Sequence, residues 1–120
     1  MEERYNKILD ISFKFGVRIV KLSQYLIDNK ISHTISNQVL RSGTSIGANV
    51  NESIFAQSKK DFITKMHIAL KEANETKYWI EVIYRSELMS KDKYSELTND
   101  VGELYKILAA SIRTAKGNMG

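Results

Sequence analysis

The chain has 120 residues, of which 42% are hydrophobic, so it is long enough to bury the core of one domain. It contains no cysteine and no proline, which excludes disulfides, thiolate nucleophiles and cysteine-based zinc sites and permits long uninterrupted helices. The formal net charge of +4 at pH 7 is compatible with a nucleic-acid partner but does not require one.

Hydropathy and residue usage together predict the compartment. The N-terminus begins with two glutamates after Met1 and lacks the apolar stretch of a signal peptide. No apolar run approaches the ~18 residues that a membrane span needs. Because the chain also lacks cysteine, we expect a cytoplasmic protein that makes no contact with a membrane.

Four helices in chain order account for nearly the whole sequence. Their predicted ranges are about 3–28, 34–56, 59–88 and 91–116. Ser58 and Asp61 have the spacing of a capping box at the start of the third helix, and Ser90 is a candidate cap for the fourth. Because the connections are short, neighbouring helices should be antiparallel. The sequence therefore predicts an all-α, antiparallel up-down four-helix bundle that spans residues 1–120 as one domain.

Apolar residues at alternating steps of three and four mark the core-facing seams of this bundle. The seams are Ile8, Ser12, Phe15, Ile19, Leu22 and Leu26 in the first helix, Phe62, Met66, Ala69, Ala73, Thr76, Ile80 and Ile83 in the third, and Tyr94, Leu97, Val101, Leu104, Leu108, Ile112 and Ala115 in the fourth.

The second helix is unusually rich in small residues. Gly43 and Gly47 each carry a helix-propensity penalty of ~1 kcal/mol, so this helix should form only if a neighbour packs closely against it. Two interpretations fit its polar residues, which include Arg41. They could form a polar ligand site with Glu72 and Glu75 of the third helix, or ion pairs that fix the register between helices or subunits, which we favour.

The first helix has a second apolar stripe beside its seam. It runs through Leu9, Phe13, Gly16, Val20 and Ile27. On the third helix, Ile68 and Trp79 also lie off the seam and flank Glu72. A second organised stripe predicts a second interface, so we expect self-association through these helices. The alternative is an irregular bundle that buries the stripe internally. The predicted subunit-interface residues are Leu9, Phe13, Val20, Ile68, Glu72 and Trp79.

Basic residues of the first helix form the predicted nucleic-acid surface. Lys7, Lys14, Arg18 and Lys21 lie within about 60° of one another around the helix, and Tyr25 continues the same arc. This pattern suits phosphate contacts and base stacking, and a ring of identical subunits would repeat it. The alternative is an ordinary solvated face.

The sequence offers few residues of the types that catalysis uses. His33 and His67 are isolated, and no acid-x-x-His pair of a di-iron bundle is present. The segment 43–47 has two glycines but lacks the Gly-Lys-Ser/Thr ending and the preceding strand of a phosphate loop. We therefore expect no catalytic residue, no metal and no cofactor.

Two sequence blocks resemble one protein family. The first is LRSGTSIGANVNE at residues 40–52, and the second comprises DFI at 61–63, IALKEA at 68–73, Glu75 and YWIE at 78–81. They resemble the core motif of the 23S rRNA intervening-sequence protein family, although Asn51 stands where many members have alanine. The motif residues, which also serve close helix packing, are Arg41, Ser42, Gly43, Ser45, Ile46, Gly47, Asn49 and Glu52.

The resemblance implies a small, bacterial, cytoplasmic four-helix bundle protein. Members are similar to the accessory variability protein of diversity-generating retroelements, a pentameric barrel that associates with nucleic acid and a reverse transcriptase. The resemblance implies no enzyme. We therefore expect a non-catalytic, pentameric accessory or assembly protein that binds RNA or DNA through a basic surface. The alternative is a scaffold that binds only proteins, and weakening of binding by salt would separate the two.

Overall fold

The computed structural model describes residues 3–117 of the chain, and this part contains four α-helices and no strand. The helices are α1 (Glu3–Asp28), α2 (His33–Ile54), α3 (Lys59–Arg85) and α4 (Lys91–Gly117). Each helix packs against the next in sequence, and α4 closes the bundle against α1 with much sparser contact. The pairs α1/α3 and α2/α4 are therefore diagonal. The bundle is elongated, at 49 × 22 × 20 Å, and confirms the predicted all-α four-helix fold.

Serine side chains cap the starts of three helices. Ser58 Oγ accepts a hydrogen bond from the Asp61 N–H at 3.0 Å, and Ser90 Oγ accepts one from the Lys93 N–H at 3.1 Å. At the start of α2, Ser32 accepts from the Ile35 N–H. Each bond satisfies one of the orphan amides at a helix N-terminus, so these serines fix where the chain turns into each helix.

Two helix ends occur earlier than the sequence predicts. α2 ends at Ile54 rather than residue 56, and α3 ends at Arg85 rather than residue 88. At the end of α3, Glu87 adopts a left-handed backbone with φ 63°, and the Leu88 N–H reaches back to the Ile83 carbonyl at 3.1 Å. This is a Schellman ending, which glycine usually provides. Because a glutamate occupies the left-handed position, no glycine marks the end of the helix there.

The predicted seams form the core. Phe15, Ile19, Ile46, Leu97 and Leu104 are among its fully buried side chains. Two seam residues lie at its margin instead: Phe62 packs edge-on against Tyr5 at 5.3 Å, and Tyr94 stacks on Tyr84 at 3.9 Å. Aromatic rings at the two ends of α3 thus close the core where the helices diverge.

Small residues bring α2 close to both of its neighbours, as the sequence predicts. A Cβ atom on Gly43 would lie 2.7 Å from side-chain carbons of Ile19, a residue that is fully buried. Ser23 of α1 and Ser36 of α2 share a buried hydroxyl pair at 2.7 Å. Towards α3, the Thr76 hydroxyl donates to Ser42 at 3.0 Å. Among the described residues, every buried side-chain nitrogen and oxygen has a hydrogen-bond partner.

Glu81 links α3 to α4. Its carboxylate accepts hydrogen bonds from the Tyr94 hydroxyl at 2.6 Å and from Arg85 Nε at 2.8 Å. The bond from Tyr94, followed by the bond from Arg85, lowers the pKa of the Glu81 carboxyl because both favour its charged form. The same hydrogen bond raises the pKa of Tyr94, since the hydroxyl must keep its proton to donate.

Substitution of Gly43 by alanine should destabilise the bundle. The added methyl group collides with the buried Ile19 side chain, which outweighs the better helix propensity of alanine, so we expect a net loss of about 1–2 kcal/mol. Gly102→Ala is the matched control, because no atom of a neighbouring element lies within 4 Å of its added Cβ. That variant should gain about 0.5–1 kcal/mol. Urea denaturation of both variants measures the difference, and equal stabilities would contradict the close approach.

Replacement of Tyr94 by phenylalanine should change how stability depends on pH. A carboxyl group with a lowered folded-state pKa stabilises the protein above its unfolded pKa, and this contribution disappears as pH falls through the folded value. Tyr94→Phe should therefore be less stable than the parent at pH 7, and the gap should narrow below about pH 4. Urea midpoints measured across this range test the prediction. A gap that stays constant down to the lowest pH would show that the loss of stability does not depend on the ionised Glu81 carboxylate.

Candidate assembly and nucleic-acid surfaces of α1

Helix α1 exposes two different faces because it contacts only α2 and, sparsely, α4. Its core seam lies between them. Leu9, Phe13, Gly16 and Val20 follow one another on the side towards α2, whereas Arg18 reaches α4 through ion pairs. The apolar stripe and the basic stripe predicted from the sequence therefore lie on opposite flanks of one helix.

An apolar groove runs along the α2 side of α1. Phe13, Val17 and Val20 are 69%, 45% and 50% exposed, so the chain leaves this part of the stripe uncovered, whereas Leu9 and Ile27 of the predicted stripe are half-buried. The groove has a volume of about 400 Å³, and we refer to it as the α1–α2 groove. It is lined by Leu9, Ser12, Phe13, Gly16, Val17 and Val20 from α1 and by Thr44, Gly47, Ala48 and Asn51 from α2.

Val17 is a groove residue that the sequence analysis missed. The signal was present, because Val17 follows Phe13 by four residues and precedes Val20 by three. The contribution of α2 was also missed, because Gly47 was predicted to serve close helix packing and Ala48 was not predicted to line any surface. A Cβ on Gly47 would make only an ordinary contact with Ser12, at 3.4 Å from its carbonyl oxygen, so this part of α2 forms the floor of a groove.

Gly16 lies in this groove, and no contact among the described residues requires glycine at this position. Apart from its own helix's backbone and chain neighbours, no atom lies within 4 Å of the position that a Cβ would occupy there. Glycine in a helix interior costs roughly 0.5–1 kcal/mol relative to alanine. Within the described part of the chain, nothing offsets that cost.

The predicted interface residues of α3 lie away from this groove, because α1 and α3 are diagonal. Ile68 is exposed on the outer surface of α3. Trp79 is half-buried, and its indole N–H donates to Glu75 at 3.0 Å. Glu72 is largely covered and pairs with Arg41 of α2. The two sets of predicted interface residues thus form separate surfaces, one on α1 and one on α3.

Arg41 joins α2 to α3 by ion pairs, which is the arrangement that one of the two interpretations of the polar residues of α2 predicts. Its guanidinium donates to Glu72 at 3.0 Å and also to Glu75. Lys65 and Glu52 form a second α2–α3 pair at 3.1 Å. Because Arg41 is half exposed, we attribute helix register rather than large stabilisation to these pairs.

The remaining polar motif residues bond to the backbone of α2. Ser45 Oγ donates to the Arg41 carbonyl at 2.6 Å, and the Asn49 amide donates to the Ser45 carbonyl at 2.8 Å. Such bonds satisfy small polar side chains within their own helix. Ser42, Gly43 and Ile46 are buried, and they place the close-packed face of α2 against α1 and α3.

All five residues of the predicted nucleic-acid surface are exposed: Lys7, Lys14, Arg18, Lys21 and Tyr25. Two of the four cations have acidic partners. Lys14 pairs with Asp10 at 3.0 Å, and Arg18 pairs with Asp100 and, at 3.5 Å, with Glu96 of α4. Lys7 and Lys21 form no ion pair with any residue whose side chain the structure describes. The basic stripe is thus half neutralised, by Asp10 one turn before Lys14 on α1 and by two acidic residues of α4.

One end of the bundle holds a second cavity, which we call the α1–α4 end cavity. Lys21, Leu22 and Tyr25 of α1 line one side, and Met89, Ser90 and Lys93 line the other. Its volume is about 330 Å³. The sequence analysis named Lys21 and Tyr25, but it missed Lys93 because that residue lies on a different helix.

The described residues show no group of three histidine, cysteine, aspartate or glutamate side chains placed to hold a metal ion. His33 and His67 are exposed on different helices. None of the described helices combines the length and the apolar character needed to cross a membrane.

Comparisons with known proteins identify the family. The model of the 23S rRNA-intervening sequence protein family matches residues 4–110. A crystal structure of a protein of unknown function from the S23 ribosomal protein family of Bacteroides thetaiotaomicron VPI-5482 is 47% identical and has a TM-score of 0.88. That match covers 92% of this chain and 98% of the other. Among curated proteins, none matches this chain. Because the family model covers most of its length, the chain belongs to the 23S rRNA-intervening sequence protein family.

Proposed function

We propose that this protein is a non-catalytic accessory protein that self-associates through its apolar surfaces and binds nucleic acid through the cations of α1. One observation carries this proposal: α1 presents the α1–α2 groove on one flank and its lysines on the other. Subunits that pack through the groove leave the lysines in solvent and repeat them once per copy. Repetition converts weak phosphate contacts into avid binding.

The geometry suits a ring better than a two-fold dimer. A ring needs two different, complementary surfaces on each subunit, whereas a two-fold dimer needs one surface that pairs with itself. The α1–α2 groove lies on one side of the bundle, and the outer surface of α3 with exposed Ile68 and Tyr78 lies on the diagonal helix. In our proposal, α3 of one subunit enters the groove of the next. The count of five subunits comes from the resemblance described above.

Gly16 supports an external partner for the groove. Glycine there opens space beside the large exposed side chains of Phe13, Val17 and Val20. A neighbouring subunit could approach the helix backbone at that point, and its apolar side chains would fill the open space. An ordinary solvated helix face would instead favour residues of higher helix propensity.

A protein-only scaffold is the second candidate function. The ion pairs of Lys14 and Arg18 favour it, because a phosphate must compete with Asp10 for one cation and with Asp100 and Glu96 for the other. Both candidates share the self-associating groove. Only nucleic-acid binding adds a steep dependence of affinity on salt.

A charge in the groove should dissociate the assembly. Phe13→Glu places a carboxylate where an apolar contact is proposed, and since Phe13 is exposed in the single chain, the fold of each bundle should persist. We expect a shift to monomer at micromolar concentration with unchanged helicity, measured by light scattering and circular dichroism. Lys106→Glu, an exposed change on α4, is the control. A parent protein that is itself monomeric at these concentrations would refute self-association.

Charge reversal at the two unpaired lysines should weaken nucleic-acid binding. Lys7→Glu with Lys21→Glu disturbs no ion pair among the described residues, whereas reversal of Arg18 would also break the link between α1 and α4. We expect at least about tenfold weaker binding of structured RNA and duplex DNA at low salt, with unchanged oligomer size.

The matched control for this pair carries the same change in charge elsewhere. Lys59→Glu with Lys60→Glu lies in the first turn of α3, where acidic residues suit the helix dipole. It should retain parental affinity if the surface of α1 is specific. No binding by the parent at low or near-physiological salt would leave the protein scaffold as the better function.

A further inference from the structure

We infer that the α1–α4 end cavity holds one nucleotide unit, with its phosphate between Lys21 and Lys93 and its base on the ring of Tyr25. This inference rests on the proposed function, because it assigns the contact point for the nucleic acid. It also replaces a continuous basic stripe along α1 with one local site that two helices build together.

The shape and lining of the cavity suit a ligand of this size and chemistry. Its volume of about 330 Å³ falls at the lower end of the ~300–1,000 Å³ range of small-molecule pockets. Leu22 and Met89 supply apolar surface, and the lysines and Ser90 supply the polar groups. An apolar surface with a few convergent polar groups fits a planar base joined to a charged phosphate.

Two cations from different helices converge on this cavity. Lys21 has no ion pair among the described residues, and Lys93 has an exposed ion pair with Glu96 whose 3.9 Å separation is beyond hydrogen-bond distance. Lys21 is therefore available for a phosphate, Lys93 has only this weak, solvent-screened pair to exchange for one, and the flexible stems of both lysines allow them to reach one anion. By contrast, Lys14 and Arg18, which precede Lys21 on α1, form ion pairs with carboxylates.

Tyr25 differs from the other five tyrosines of the chain. Tyr5 packs on Phe62, Tyr78 on Trp79, Tyr84 on Tyr94, and Tyr105 lies beneath the ammonium of Lys77. Tyr25 is 53% exposed and, among the described residues, has neither a ring nor a cation against it, although it lines a cavity. An unpartnered aromatic face beside two lysines is the arrangement that binds a single-stranded base by stacking.

The first experiment titrates the full-length protein with adenosine monophosphate and follows backbone amide chemical shifts. We expect saturable shifts confined to the end of α1 and the start of α4. Tyr25→Ala and Lys93→Gln should each weaken this binding roughly tenfold. Phe55→Ala and Lys106→Gln, which change an exposed aromatic residue and an exposed lysine elsewhere, should leave it unchanged. Shifts that are absent, do not saturate, or are equal in all variants would overturn the inference.

A second titration separates this inference from the proposed function. It uses a short labelled oligoadenylate with the parent protein, Tyr25→Ala and Lys93→Gln. Loss of oligoadenylate binding in both variants supports the site. Equal binding by all three proteins overturns the site while the nucleic-acid function stands. Binding of the monophosphate in the cavity without oligoadenylate binding keeps the nucleotide site and refutes the nucleic-acid function.

Inorganic phosphate and glutamate serve as competitors in the first experiment. Displacement of adenosine monophosphate by phosphate at higher concentration supports the role of the two lysines. Equal displacement by glutamate would overturn the nucleotide assignment, because it would show a general anion site that a carboxylate of a protein partner fills as well.

Discussion

Where Gly43 of α2 meets Ile19 of α1, the missing methyl group sets the spacing of the bundle. A Cβ there would lie 2.7 Å from the Ile19 side chain, so the two helix backbones approach more closely than larger residues allow. The Ser23–Ser36 pair on the same side and the Ser42–Thr76 bond on the other hold α2 close to both neighbours. Such packing makes α2 the helix on which the other elements are positioned.

The close approach of α2 has a consequence for α1. Because α1 is drawn towards α2 and touches α4 only sparsely, its outer surface remains open on two flanks. Arg18 spans the wider α1–α4 side through Asp100 and Glu96, which explains why this cation is structural as well as exposed. The end cavity also belongs to this wider side, where Tyr25 of α1 faces Lys93 of α4. Packing that is tight on one flank thus creates the room for a site on the other.

The seams and the serine caps of α3 and α4 could be predicted from the sequence because each depends on residues within one helical turn or one heptad. The end of α1 at Asp28 was also predicted, whereas the left-handed ending of α3 at Glu87 could not be, since that residue is not glycine. The ion-pair partners of Arg18 could not be predicted either, because helix periodicity describes one helix at a time and these acids lie on α4. The end cavity was only half predicted for the same reason: Lys21 and Tyr25 share an arc, whereas Lys93 meets them only after folding.

The glycines distinguish contacts within the chain from contacts that the single chain lacks. Gly43 has an internal cause, the side chain of Ile19, whereas Gly16 and Gly102 both face open space. An open glycine by itself indicates nothing, as Gly102 on α4 shows. Gly16 carries weight because Phe13, Val17 and Val20 surround it with exposed apolar surface that no part of the described chain covers. A glycine inside a helix and exposed aromatic and branched side chains each cost free energy, and both occur at this place. A single apolar partner would offset both costs.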